Sequence, residues 1–251
     1  MGKRDELVSR LKPIIGDADR LEEFVVAHSN LPGPRGNLEL AFALAEIYGD
    51  LEVLLRWVDI TEDEASVNDP KSFLAFCAAV CLGKIYTNTK DPKLISRLKG
   101  LANDGRWRMR EAVAFGFQII GEHDFDELET IFSEWIEEAN NLEKRAILVS
   151  LAHPPFLTEE RAKFCFEIAN GILQQITNGE NFDVLKKGLE FTISVFVAAN
   201  PTRGFRFIRE WIGKRELIDR ILEKNLKKNR LVKRNPEEVT QLLGEIHALS
   251  E

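Results

Sequence analysis

Along nearly the whole chain apolar residues recur at spacings of three and four, and no segment sustains the two-residue alternation of a half-buried strand. That period predicts helices throughout and no sheet. The punctuation agrees. Asp17, Asn37, Asp50, Asp69-Pro70, Asp91-Pro92, Asp104, Asp124, Thr158 and Pro201-Thr202 stand where helices should begin, and Gly49, Gly83, Gly121 and Gly213 where they should end. About fourteen helices result. Short connections join them, with the longest breaks at Leu31 to Asn37 and Thr61 to Pro70.

Three of those glycines, Gly49, Gly83 and Gly121, are separated by 34 and then 38 residues, near the period of a two-helix repeat. Leu74, Ala78, Leu82 and Gly83 are echoed by Ala112, Gly116, Ile120 and Gly121, with a small residue mid-helix where two helices would cross closely. The expectation is an all-α, HEAT-like solenoid of antiparallel helix pairs, one domain over 1–251, with a non-repetitive helical bundle as the alternative. No stretch is long and apolar enough for a membrane span. Met1-Gly-Lys-Arg leads directly into an amphipathic pattern, so a cytoplasmic, monomeric protein is expected.

Cys77, Cys81 and Cys165 are odd in number, and the first two sit in a wholly apolar run, which reads as core filling and not metal binding. The four histidines are scattered, and neither a phosphate loop nor a Gly-x-Ser-x-Gly elbow is present. No metal or cofactor is expected. A net charge of -7 excludes an all-over polyanion binder but leaves room for a local basic face.

Helical wheels single out residues that fall away from the apolar stripe. In 105–120 the stripe is Met109, Ala112, Val113, Gly116, Ile119 and Ile120, leaving Trp107, Arg110, Glu111, Ala114 and Gln118 opposite. In 182–199 Phe191 projects beside Lys187, Ser194 and Ala198, away from the face of Leu185, Leu189, Thr192, Ile193 and Phe196. Such an aromatic either meets a neighbouring repeat or serves a ligand. Arg145 lies at the edge of an apolar run, where its stem can pack while its head holds a carboxylate or a phosphate. Positive charge gathers late in the chain at Arg203, Arg206 and Arg209, and six of the eleven residues from Lys224 to Arg234 are basic with none acidic. A solvated helix end or a phosphate contact would each use such a run.

The passages Trp107-Arg-Met-Arg-Glu111, Glu134-Trp-Ile-Glu137, Lys144-Arg145-Ala-Ile-Leu148 and Lys187-Gly-Leu-Glu-Phe191 through Asn200-Pro201 resemble, in order and spacing, the DNA alkylation repair family of HEAT-like alkylpurine DNA glycosylases. The likeness covers 105–251, whereas 1–104 has no specific match. It implies double-stranded DNA held in a concave basic groove and excision of N3- or N7-alkylated purines by hydrolysis of the N-glycosidic bond. Trp107 matches the first family aromatic, Glu111 the carboxylate, Arg145 the arginine after a one-residue gap, and Phe191 the second aromatic. Glu111 stands where the family has aspartate, and Phe191 where it has tryptophan. Arg110, Lys187, Arg203, Arg206, Lys224, Lys227, Lys228 and Arg230 are the expected nucleic-acid contacts. The competing expectation is a non-catalytic HEAT-like scaffold whose groove holds a protein or peptide.

Overall fold

The structure, a computed structural model, describes residues 2–249. Among them there are helices and no strand. In chain order these are α1 (Lys3–Leu11), α2 (Ala18–Ala27), α3 (Leu38–Ile47), α4 (Leu51–Val58), α5 (Ser72–Thr89), α6 (Pro92–Leu101), α7 (Trp107–His123), α8 (Phe125–Ile136), α9 (Asn141–Leu151), α10 (Arg161–Gln175), α11 (Phe182–Ala199), α12 (Pro201–Trp211), α13 (Glu216–Leu226), the single turn α14 (Asn229–Val232) and α15 (Pro236–Ala248). None of the described helices is long and apolar enough to cross a membrane.

Many of the helix starts are local events. Asp17, Asn37, Asp50, Asp91, Asn140 and Asn200 each accept a backbone N–H from the first turn of the helix that follows. Each such cap is worth about 1 kcal/mol. Asp69 and Asp104 act one step earlier, capping the turns that precede α5 and α7.

The chain forms two compact units, Met1–Leu128 and Glu129–Glu251, with the division inside α8. In the first, α1, α3, α5 and α7 pack side by side in succession, and α2, α4 and α6 lie against α5. In the second, α9, α11, α13 and α15 follow one another, with α10 and α12 against α11. This alternation is what stacked helix hairpins produce. The central helix of the first unit shows why: 14 of the 18 residues of α5 are buried, so it must be covered all round, as its unbroken run Phe73–Leu82 requires.

Two of the predicted helix ends are corrected. Gly83 lies inside α5, which continues to Thr89, and Gly121 lies inside α7. Their absence of a side chain serves packing instead at Gly83, where an added Cβ would stand 2.3 Å from the Gly116 carbonyl oxygen. Gly116 in turn faces the Ala79 carbonyl, so α5 and α7 cross backbone to backbone at these small residues. Gly213, by contrast, does follow a helix, with a φ of +79° that favours glycine.

Candidate nucleic-acid interface

The first unit's candidate residues lie at the amino end of α7, where three consecutive residues have three different fates. Arg106 is buried, pairs with Asp104 at 2.6 Å, and donates to the carbonyls of Ile60 (2.8 Å) and Ala65 (3.1 Å). Arg108 is also buried and makes no ion pair among the described residues. It donates to the Gly33 and Val67 carbonyls and to Asn68 Oδ1, fastening the two long loops to the start of α7. A planar guanidinium with five donors suits this task, because loop carbonyls lack helical partners. Burial pushes the Arg108 pKa down, and the face of Trp107 offsets part of that cost, its ring centre lying 4.3 Å from the guanidinium carbon.

Trp107 itself is 45% exposed. With Glu111, one turn on, it lines a pocket of about 190 Å³ whose other walls are Pro34, Arg35, Gly36, Leu38, Phe76, Arg108 and Phe115. Arg110 points back along its own chain, donating to the carbonyls of Asp104 (2.8 Å) and Gly105 (3.0 Å). Ala114 and Gln118, expected on the open face of this helix, are buried. A helix packed on both α5 and α6 has more than one covered side, which a single-stripe wheel does not anticipate.

In the second unit Phe191 of α11 is 40% exposed, so the two exposed aromatics among the described residues are the two picked out by their wheel positions. The Arg230 guanidinium lies over the Phe191 ring at 4.7 Å, and its Nη1 donates to Ser194 Oγ at 3.3 Å. Phe191 and Arg230 line a pocket of about 590 Å³ whose other walls include the apolar Ala152, Leu157, Val195 and Ala198 and the cationic Lys233 and Arg234. Arg145 of α9 lies with its stem on Gly188, one turn before Phe191. A Cβ there would come within 3.1 Å of Arg145 Cγ.

The remaining cations disperse. Arg203 pairs with Glu167 at 3.3 Å, and with Arg206 it lines a separate pocket that also holds Glu167 and Glu210. Lys227 pairs with Glu223 at 2.5 Å. Lys187 and Lys224 are exposed, and Lys228 precedes α14.

Two supporting residues escaped the reading from sequence. One is Arg108. The other is Asn225, fully buried in α13, whose amide donates to the Leu189 carbonyl and accepts the Ser194 N–H, both at 2.8 Å. These backbone groups flank Phe191, so Asn225 fixes the stretch of α11 that presents the ring. A signal existed: Asn225 continues the stripe Ile218, Ile221, Leu222, where a polar residue must find a buried partner.

Among the described residues no group of three His, Cys, Asp or Glu is arranged to hold a metal ion. Comparison with known proteins gives no match to a family model, to a curated protein or to a solved structure.

Proposed function

We propose that this protein binds nucleic acid through the surface around Phe191. The supporting observation is the meeting of an exposed aromatic ring with Arg230, Lys233 and Arg234 in a pocket whose lining holds no carboxylate among the described residues. Bases stack on such a ring and phosphates meet such cations. With a net charge of -7, binding depends on a local cluster of this kind.

The resemblance to the DNA alkylation repair family extends the reading to excision of N3- or N7-alkylated purines. Alkylation makes the base a cationic leaving group, so the enzyme's task is to stabilise positive charge developing on the sugar and to orient a water. By that resemblance Glu111 is the residue that would supply negative charge, Arg145 the one that would hold a phosphate, and Trp107 and Phe191 the aromatics, each taken within its own unit. Trp107 already lends one face to Arg108. Its attraction for a cationic base is therefore reduced, and modest discrimination against undamaged DNA is expected.

Release of 3-methyladenine or 7-methylguanine from alkylated duplex DNA, compared between the wild type and Glu111→Gln, tests the reaction. No release from folded wild-type protein in excess removes the enzymatic reading. Affinity measured against salt tests binding itself, since phosphate-mediated affinity falls steeply with ionic strength. A salt-indifferent affinity favours the second reading, a non-catalytic scaffold for a protein or peptide partner, to which the apolar part of the Phe191 pocket's lining lends support.

A further inference from the structure

The Phe191 pocket differs from a flat basic face in its volume and in the state of its arginine. At about 590 Å³ it falls within the range of small-molecule pockets, roughly 300–1,000 Å³. Arg230 is half-buried and makes no ion pair among the described residues, nor do Lys233 and Arg234. Burial lowers the Arg230 pKa without removing its charge. A cation partly withdrawn from water, whose compensating contacts among the described residues are a hydroxyl and an aromatic ring, and which shares its pocket with Lys233 and Arg234, is incompletely compensated. An anion in the pocket would complete it.

The apolar part of the lining adds a second requirement, because a bare inorganic anion would leave Leu157, Val195 and Ala198 uncovered. The occupant needs an anionic group joined to a flat or apolar body. In a duplex the bases are stacked inside and cannot enter such a cavity.

We propose that this pocket takes one unpaired nucleotide of a nucleic-acid strand, its phosphate among Arg230, Lys233 and Arg234 and its base against the Phe191 ring, the Arg230 plane and the apolar wall. This rests on the nucleic-acid reading above and specifies the form of its ligand. Guanidinium planes and aromatic rings are both stacking surfaces for splayed bases.

The test uses the full chain and a short fluorescein-labelled oligothymidylate followed by anisotropy, with an equally long duplex alongside and dTMP, thymidine and inorganic phosphate as competitors. The oligothymidylate should bind more tightly than the duplex. Free dTMP should compete about tenfold better than thymidine or phosphate alone. Phe191→Ala should weaken binding about tenfold. The double variant Lys233→Ala/Arg234→Ala alters only exposed side chains, so it tests the pocket without threatening the fold. It should weaken binding and reduce the salt slope by about 0.7 per cation removed.

Tight duplex binding with no binding of the oligothymidylate would overturn the single-nucleotide proposal and leave nucleic-acid binding standing. Binding of neither would remove both. Displacement of the label by an acidic amphipathic peptide but not by dTMP would overturn the proposal in favour of a peptide groove.

Discussion

The guanidinium of Arg108 stacks 4.3 Å from the ring centre of Trp107 while its nitrogens reach the Gly33 and Val67 carbonyls and Asn68 Oδ1. One buried side chain therefore joins two loops, from distant parts of the chain, to the ring that marks the candidate site of the first unit. The indole is held from one side, and the wall of its pocket, Pro34 to Gly36, is held by the same group.

Arg108→Ala should lower stability by roughly 3 kcal/mol, because several carbonyls lose a charged donor at once. Arg108→Lys keeps the charge but not the planar fork, and should recover no more than about half of that loss. Urea midpoints measure the stability. Faster amide exchange confined to residues 31–37 and 67–68 would identify the loops as what is released.

The glycines separate into two groups with opposite predictions. Gly83→Ala places a Cβ 2.3 Å from the Gly116 carbonyl oxygen, and the crossing helices must move apart, at a cost of about 2–3 kcal/mol. Gly171 in α10 and Gly244 in α15 have nothing within 4 Å of an added Cβ. Alanine there should stabilise by about 0.5–1 kcal/mol through helix propensity alone. Thermal unfolding of the three variants checks the sign of each.

Two neighbouring polar residues in the second unit also oppose one another. Asn225 has its amide satisfied on both atoms, whereas Thr192 Oγ1 is buried with no hydrogen-bond partner among the described residues. Thr192→Val should be neutral or stabilising by about 1 kcal/mol, since it removes an unmet group while keeping the shape. Asn225→Ala should cost about 3 kcal/mol and weaken nucleic-acid binding through Phe191. Asn225→Ala protein that stays folded and binds with wild-type affinity would show that the amide does not position the ring.

Alkaline pH should destabilise the chain. Burial pushes up the thiols of Cys77, Cys81 and Cys165. Tyr48 is pushed up to about 12, first by burial and then by Asp50, while Tyr86 is raised by burial and by its hydrogen bond to Glu127. In the unfolded chain thiols ionise near about 8.5 and phenols near about 10. Above those values the folded state binds more protons than the unfolded one, so stability present at neutral pH declines as pH rises. Urea midpoints from neutral to strongly alkaline pH should fall, and Tyr48→Phe should flatten the decline between about 10 and 12. A thiol reagent should label the three cysteines only in denaturant.

The helical class was legible in the chain because the evidence for it is local. Three- and four-residue spacing and caps such as Asp17, Asn37, Asp50 and Asp91 act within one turn of where they stand. The exposure of Trp107 and Phe191 was legible for the same reason, since each lies opposite its own helix's apolar stripe. Gly83 shows the limit of that logic. A glycine ends a helix or permits a crossing with equal economy, and only the approach of Gly116, 33 positions away, selects the crossing.

The same limit governs the charges. The basic residues could be counted from sequence, but not the partners that reach several of them from 29 to 75 positions away: Glu167 for Arg203, Glu238 for Arg209, Gly33 for Arg108. Periodicity and capping chemistry thus determined that the chain is helical and which aromatics face outward. Tertiary packing alone decided that Arg203 pairs with Glu167 while Arg230 sits beside Phe191 without a carboxylate among the described residues, because ion pairing depends on distance in space, and the fold sets that distance.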